Sequence, residues 1–281
     1  MFTDSFNRRD FMKVSASLVA TAGVGSALPA AKKIPVGLQL YSVRKECEKD
    51  FIKTVTAVAR MGYQGVEFAG YYNYSAKQLR NILDDNGLKC CGTHTQLDTL
   101  LGDEFQKTVE FNMILGNTYL IVPWLAEEKR KTVKDWLQIA GLFNTLSAKA
   151  KLQGMRVGYH NHNFEYQPLE GKIPWDLFAE NTDQEVILQF DSGNAGDGGA
   201  ETVPYLKKYP GRSVTIHIKE FSKTNKKAIL GEGDVPWKEV FQICETTGGT
   251  EWYIIEEEKE VYPPLQCVEM CLKNFKKIHH A

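Results

Sequence analysis

From Ile34 to its end, the chain alternates short apolar runs with longer amphipathic stretches. The runs are rich in β-branched and aromatic residues, which is typical of strands, and the stretches have helical periodicity. The predicted strands are VGLQLYS (36–42), GVEF (65–68), LKCCGTH (88–94), TYLIVPW (118–124), MRVGYHNH (155–162), EVILQFD (185–191), SVTIHIK (213–219) and EWYIIE (251–256). The predicted helices lie near 50–61, 76–86, 103–115, 130–153, 173–180, 201–209, 236–247 and 264–278. Eight strands, each followed by a helix, predict one (β/α)8 (TIM) barrel over residues 34–281.

The main alternative is a doubly wound open sheet. That fold would more naturally place a glycine-rich GxGxxG loop after the first strand, and this motif is absent there. Strand phase also favours the barrel. Apolar residues alternate with Thr215, His217 and Lys219 in the seventh strand, and with Gln189 and Asp191 in the sixth. This period of two assigns the apolar side chains to the helix layer and the polar ones to the barrel interior.

The first 31 residues differ from the rest of the chain. The sequence NRRDFMK (7–13) precedes a weakly apolar stretch rich in Ala, Gly, Ser and Val. Paired arginines before such a stretch predict a twin-arginine export signal at residues 1–31, and therefore a periplasmic location. A short N-terminal helix is the other interpretation. The glycines and serines make the stretch a poor membrane span, so we expect no stable span after processing.

Charge limits the classes of partner. The formal net charge is −1, and removing the three basic and two acidic residues of the first 31 changes it to −2. Such a balance predicts no attraction to nucleic acid or to an anionic membrane. The six cysteines contain no CxxC pair and resemble small core residues. The sequence allows a homo-oligomer and leaves the oligomeric state open.

Polar residues capable of binding a metal end four consecutive predicted strands: His160, Asp191, His217 and Glu256. The carboxyl ends of barrel strands carry the active site, and neighbouring strands lie about 4.8 Å apart. The four side chains can therefore reach one ion. Carboxylates combined with imidazoles suit Mn²⁺, Co²⁺, Zn²⁺ or Mg²⁺. The alternative is that each residue is an ordinary polar strand end.

Several short motifs, taken in order, resemble those of the xylose-isomerase-like TIM barrels. They are GLQLYSVR (37–44), GVE (65–67), YHNH (159–162), FD (190–191), HIKE (217–220), GEG (231–233) with Trp237, and IEE (255–257). This family includes sugar and sugar-phosphate isomerases and epimerases. The resemblance implies a divalent metal bound by an acid after strand five, an Asp after strand six, a His after strand seven and a Glu after strand eight. Asp191, His217 and Glu256 match the last three positions.

His160 departs from the family pattern, which usually has a glutamate there. Epimerases of the family use two metal-bound glutamates on opposite faces of the sugar to move a proton beside a carbonyl. Glu256 matches one of the two and is therefore a predicted catalytic residue as well as a ligand. His160 stands in place of the other glutamate, and this puts symmetric epimerisation by two glutamates in doubt.

Three further residues near the strand ends are predicted to be catalytic. His162 shares the strand phase of His160 and is the candidate for a free general acid or base. Glu165 could orient His162 or contact substrate, although the two could instead form a hydrogen-bonded loop pair. Lys219 could polarise a carbonyl or neutralise an enolate. Its alternative is an internal salt bridge to a site carboxylate.

Four residues are predicted to bind substrate. Glu67 and His94, at strands two and three, are expected to contact hydroxyl groups, with a structural hydrogen bond as the alternative for His94. Tyr41 and Trp124 belong to the aromatic residues that crowd the same barrel end. Aromatic faces can cover the apolar faces of sugar rings.

These features predict a metal-dependent enzyme acting on a small keto- or aldo-sugar through an enediolate. Isomerisation or epimerisation is what the family implies. A lyase or hydratase acting on a 3-keto-glycoside is the alternative, because it starts from the same intermediate. An endonuclease IV-like nuclease needs a basic groove that the charge balance does not predict. A non-catalytic sugar-binding barrel also stays open, as do the sugar, its phosphorylation and the metal.

Overall fold

The computed structural model describes residues 33–279, and these form a barrel of eight parallel strands surrounded by helices. The prediction of a single (β/α)8 barrel is confirmed. The predicted twin-arginine signal at residues 1–31 lies outside the described residues, so it stays a prediction together with the periplasmic location. In the described part of the chain, no helix has both the length and the apolar character needed to cross a membrane.

The elements follow the predicted order. The strands are β1 (Val36–Gln39), β2 (Gly65–Phe68), β3 (Lys89–His94), β4 (Tyr119–Val122), β5 (Arg156–His160), β6 (Ile187–Gln189), β7 (Thr215–Ile218) and β8 (Trp252–Ile255). The helices are α1 (Arg44–Lys49), α2 (Phe51–Met61), α3 (Ala76–Asp85), α4 (Glu104–Leu115), α5 (Val133–Lys151), α6 (Pro174–Glu180), α7 (Ser192–Asp197), α8 (Thr202–Lys208), α9 (Trp237–Thr246) and α10 (Pro264–His279). The sequence analysis missed α1 and α7, which are only six residues long and lie in loops after strands.

The barrel closes between β6 and β7 through a short seam. The other neighbours form regular parallel ladders in the order β6-β5-β4-β3-β2-β1-β8-β7. At the seam, Asp191 and His217 form an isolated parallel bridge, and the His217 amide donates to the Phe190 carbonyl at 2.9 Å. Two of the four predicted metal ligands are therefore held side by side by the backbone that closes the barrel.

Local sequence signals explain several of the surrounding helices. Ser75 and Gln78 form a capping box at the start of α3, and Thr132 and Asp135 form another at the start of α5. These side chains satisfy backbone N–H groups that have no partner within the helix. The apolar helix faces and the outward side chains of the strands pack into one continuous core.

The barrel interior has two layers. The lower layer is apolar and consists of Cys91, Tyr119, Ile121, Ile187, Val214, Trp252 and Ile254. The predicted polar interior therefore holds only for the upper layer, which lies at the carboxyl ends of the strands. A register shift between Val66 and Glu67 on β2 gives β3 an extra residue. Gly92 of β3 makes room for Glu67, since a Cβ there would lie 2.5 Å from the Glu67 Oε1 atom.

Candidate functional site

The four predicted metal ligands meet at the upper end of the barrel. His160, Asp191, His217 and Glu256 are all buried, and one ligand atom from each lies within 4.8 Å of the others. The His217 Nδ1 atom lies 2.5 Å from the Glu256 Oε2 atom and 3.6 Å from the Asp191 Oδ2 atom. The His160 Nε2 atom lies 4.0 Å from the same Asp191 oxygen. This group could hold a metal ion.

The surroundings of the Asp191 carboxylate show whether the four residues suit a metal ion. It is the N-cap of α7, and its Oδ1 atom accepts a hydrogen bond from the Asn194 amide at 2.7 Å. The backbone of Asp191 is fixed to Asn161 by two hydrogen bonds of 2.8 and 3.1 Å. Its Oδ2 atom is buried and finds no hydrogen-bond partner within residues 33–279. Buried polar atoms nearly always have a partner, so this oxygen, aimed into the four-residue group, fits a cation.

The protonation states also fit metal binding. Burial and the charge of His217 lower the pKa of His160 well below its usual value, so its ring is neutral. Burial raises the pKa of Glu256, but Lys219 and His217 outweigh it and bring that pKa well below the usual range. Burial lowers the pKa of His217, while Glu67 and Glu256 outweigh burial and raise that pKa well above normal. The His217 ring is therefore protonated, and its positive charge faces the carboxylates. A divalent cation at the site would take the place of that charge.

Glu67 lies beneath the candidate ligands. We expected it to contact substrate hydroxyls, but it is fully buried and both its carboxylate oxygens are bonded. Its Oε2 atom lies 2.6 Å from the His217 Nε2 atom and accepts from the Gln39 amide at 2.6 Å. Its Oε1 atom accepts from the Gln189 amide at 2.7 Å. The structure therefore places Glu67 beneath His217, where it can orient that ring, and the predicted contact with substrate stays a prediction.

His94 takes part in the same layer. Its Nε2 atom lies 3.0 Å from the Gln189 Oε1 atom and 3.3 Å from the Glu67 Oε2 atom. Its ring is nearly parallel to that of His217, with centroids 5.4 Å apart. His94, His160 and His217 also form a second group that could hold a metal ion. Both interpretations offered for His94, substrate contact and structural hydrogen bonding, remain compatible with this position.

Lys219 forms the internal salt bridges that were the alternative to a catalytic role. Its Nζ atom lies 3.5 Å from the Glu256 Oε1 atom and contacts Glu258. It also lies 4.0 Å from the Asp191 Oδ2 atom. Burial opposes the charge of Lys219, but these carboxylates keep its pKa above the usual value. A fixed cation therefore stands beside the ligand group, where it can stabilise negative charge on a substrate.

His162 lies beside the ligand group but is not part of it. Its ring packs edge-on against His160, with centroids 5.1 Å apart, and is parallel to Phe164 at 5.6 Å. The Arg130 guanidinium lies over the Phe164 ring, 3.7 Å from its centroid. The buried Nδ1 atom of His162 has no hydrogen-bond partner among the residues described. Burial lowers the pKa of His162, so its ring is neutral at neutral pH.

Glu165 anchors the loop after β5 rather than facing the site. Its Oε2 atom accepts from the His162 backbone amide at 2.8 Å, and its Oε1 atom accepts from the Tyr159 hydroxyl at 2.5 Å. Because Tyr159 points into the helix layer among Trp136 and Phe178, the carboxylate is turned away from the ligand group. The predicted pairing with His162 therefore exists, but it is to the backbone and not to the ring.

The buried Glu165 carboxyl should make the free energy of unfolding depend on pH. Burial raises its pKa from 4.5 to about 7, so the folded state prefers the protonated form. This preference stabilises the fold fully below pH 4.5, and its contribution is lost as pH rises through about 7. In chemical denaturation, the unfolding free energy of the wild type should fall relative to Glu165→Gln by about 3 kcal/mol between pH 4.5 and 8. A difference that does not vary with pH would contradict this prediction.

Tyr41 and Trp124 lie at the carboxyl ends of β1 and β4 and expose 41% and 47% of their surfaces. Tyr41 is covered by the Arg44 guanidinium at 4.1 Å from its ring centroid. Trp124 lines a small cleft with Leu97 and Lys129. Both rings are accessible at the correct end of the barrel, and their role in sugar binding stays a prediction.

Sequence reasoning missed the polar residues below the ligands, chiefly Gln39 and Gln189. Both are fully buried and their side chains bond to Glu67. The only available signal was the inward strand phase of Gln189. That phase places a side chain in the interior, but it does not reveal which partners the side chain meets.

Residues 55–269 match the family described as the xylose isomerase-like TIM barrel, which is more than half of the chain. The chain belongs to this family. The resemblance drawn from the sequence motifs is therefore confirmed, together with the fold that it implied. The roles of individual site residues do not follow from membership alone.

The chain is also similar to individual proteins and solved structures. The inosose dehydratase of Klebsiella pneumoniae (strain 342) is 25% identical over 253 residues, which cover 76% of this chain and 84% of that protein. A sugar phosphate isomerase/epimerase from Parabacteroides distasonis ATCC 8503 has a structure with a TM-score of 0.75 at 25% identity, covering 87% of this chain and 98% of that one. The IOLI protein, crystallised with a zinc atom, has a TM-score of 0.67 at 13% identity, covering 87% and 98%, and shows the fold alone.

Proposed function

We propose that this protein is a divalent-metal-dependent dehydratase, a lyase that removes water from a cyclic polyhydroxy ketone or a keto-sugar. The proposal adopts the lyase alternative over isomerisation. It is supported by the relatives named inosose dehydratase, since an inosose is a cyclic polyhydroxy ketone. It is supported equally by the ligand group of two imidazoles and two carboxylates, which suits a borderline divalent ion.

The observation that carries the proposal is the position of His160. Epimerisation needs a proton-transferring group on each face of the substrate, and the family places a glutamate here. The Nδ1 atom of His160 lies 3.1 Å from the Gln189 Oε1 atom, while its Nε2 atom faces Asp191 and Asn194. With one nitrogen bonded to an amide and the other turned to the ligand group, His160 has no nitrogen free to move a proton. Elimination on one face of the substrate needs only one group, which removes the proton and then gives it to the leaving hydroxyl.

Each step of the proposed dehydration can be assigned to residues of the site. A divalent ion bound by His160, Asp191, His217 and Glu256 would supply Lewis-acid polarisation of the substrate carbonyl. One of the pair His162 and Glu256 removes the proton from the carbon beside the carbonyl. The electron pair forms a carbon–carbon double bond as the hydroxyl on the next carbon leaves. The same group, now protonated, gives that proton to the leaving hydroxyl, so that water is released and the base is regenerated. Lys219 stabilises the negative charge that develops on the enolate oxygen.

The reaction class is tested by incubating the metal-loaded protein with an inosose and with a 3-keto-glycoside, and following the products by mass spectrometry in H₂O and in D₂O. We expect loss of one water from the polyhydroxy ketone. Release of an aglycone would show instead that the leaving group is a glycosidic oxygen. A product of unchanged mass in H₂O that gains deuterium in D₂O would show isomerisation or epimerisation and overturn the proposal.

A further inference from the structure

Gln189 stands at the centre of the polar layer beneath the ligand group. Its Oε1 atom lies 3.0 Å from the His94 Nε2 atom and 3.1 Å from the His160 Nδ1 atom. Its Nε2 atom donates to the Glu67 Oε1 atom at 2.7 Å and to the Thr215 Oγ1 atom at 2.9 Å. Gln189 is fully buried, so these four neighbours use all of its hydrogen-bonding capacity.

The network fixes which way the Gln189 amide points. An ionised carboxylate can only accept hydrogen bonds, so the Gln189 NH₂ group must face Glu67 and the amide oxygen must face the imidazoles. An amide oxygen can only accept. The nitrogen of His160 that faces it, Nδ1, therefore carries the proton, and the lone pair is on Nε2.

Glu67 acts on His217 in the same way. Its Oε2 atom accepts from the His217 Nε2 atom at 2.6 Å, which leaves Nδ1 to face Asp191 and Glu256. Gln189 and Glu67 are bonded to each other, so one network turns the opposite nitrogens of the two imidazoles, His160 Nε2 and His217 Nδ1, toward the ligand group. Partners behind a ligating histidine commonly fix its tautomer and ring orientation.

We propose that Gln189 is a positioning residue for the metal, because it sets the tautomer that lets His160 act as a ligand. The inference rests on the divalent ion of the proposed function. It also accounts for the histidine at the end of β5. A glutamate there would bring a carboxylate toward the Gln189 oxygen, so that two acceptors would face each other. The Glu67 carboxylate can only accept, so it keeps the Gln189 amide from turning over. His160 and Gln189 are therefore a matched pair.

The first test measures zinc affinity by competition with a chromophoric chelator. Gln189→Met keeps the size of the side chain but removes the acceptor for His160, and we expect zinc to bind about 10–100-fold more weakly. Thr215→Val is the matched control, since it removes a hydrogen bond from the same buried amide but leaves the acceptor in place. Its zinc affinity should equal that of the wild type. Unchanged affinity in folded Gln189→Met would overturn the proposal.

The second test uses only the wild type and does not depend on the folding of a variant. Long-range ¹H–¹⁵N spectra of the zinc-loaded, histidine-labelled protein distinguish the two tautomers of each ring. We expect the His160 proton on Nδ1, and finding it on Nε2 would overturn the assignment. If the wild type binds no zinc, manganese or cobalt ion, the proposed function fails as well. If it binds zinc and dehydrates substrate while Gln189→Met binds zinc equally well, only the role of Gln189 is lost.

Discussion

Replacing Asp191 with asparagine should strip the tightly bound divalent ion from the protein and reduce dehydration to background. The asparagine oxygen can still accept the Asn194 amide, because asparagine and aspartate are equally good N-caps, so α7 should persist. The change removes the anionic Oδ2 atom, which accepts no hydrogen bond within residues 33–279. The loss of affinity should exceed the 10–100-fold (~1.4–3 kcal/mol) effects typical of residues behind a ligand. Elemental analysis and chelator competition measure it.

The matched control for Asp191→Asn is Asp84→Asn. Asp84 lies on α3 in an exposed ion pair with Arg80, so the same chemical change there should leave metal content and turnover unaltered. Removing the ion from the wild type with a chelator should abolish turnover, and adding it back should restore it. If Asp191→Asn keeps its ion, or if chelated wild type stays active, the four-residue group is not the metal site.

Replacing His162 with glutamine should lower kcat by about 10²–10⁴-fold while the metal stays bound, because this is the usual contribution of a general acid or base. The ring of His162 is neutral and half-buried, and its buried Nδ1 atom has no hydrogen-bond partner in the described chain, so it is available for proton transfer. The hydrogen bond to Glu165 comes from the His162 backbone and survives the substitution. Steady-state kinetics and metal analysis together measure the effect.

His279→Gln is the matched control for this change. His279 contacts Glu245 from α10, a helix whose buried side chains contribute to the main core, and glutamine can keep that polar contact. We expect wild-type kcat from this variant. If His162→Gln retains wild-type kcat, proton transfer belongs to Glu256 alone. Loss of the metal from His162→Gln would instead make His162 a ligand or a support for one.

The sequence predicted the architecture because each element carries its own local signal. The observed β2 spans the predicted residues 65–68, and β5 ends at His160 within the predicted run 155–162. Helix α5 lies within the predicted range 130–153. The short helix α7 escaped because six residues with two glycines give no helical periodicity. Its presence depends on Asp191 as an N-cap and on packing against β7.

The candidate site was predictable in position but not in detail. His160, Asp191, His217 and Glu256 end consecutive strands, and the geometry of a parallel barrel brings such ends together. The place of Glu67 was not predictable. Its strand phase indicates that it points inward, yet whether it faces substrate or lies beneath a ligand depends on its depth in the barrel. The irregular register between β2 and β3 helps to set that depth.

Local patterns in the sequence were enough to predict the barrel, its order of strands and the four residues gathered at its upper end, because alternation and strand ends are local properties of the chain. Three features follow only from the folded chain: which nitrogen of each imidazole faces the ligand group, the position of Gln189 and Glu67 behind these rings, and the orientation of Glu165 away from the ligand group. These features depend on hydrogen bonds between residues as far apart in sequence as Glu67 and His217. Such partners are selected by the closing of the barrel, and no pattern within a single strand contains them.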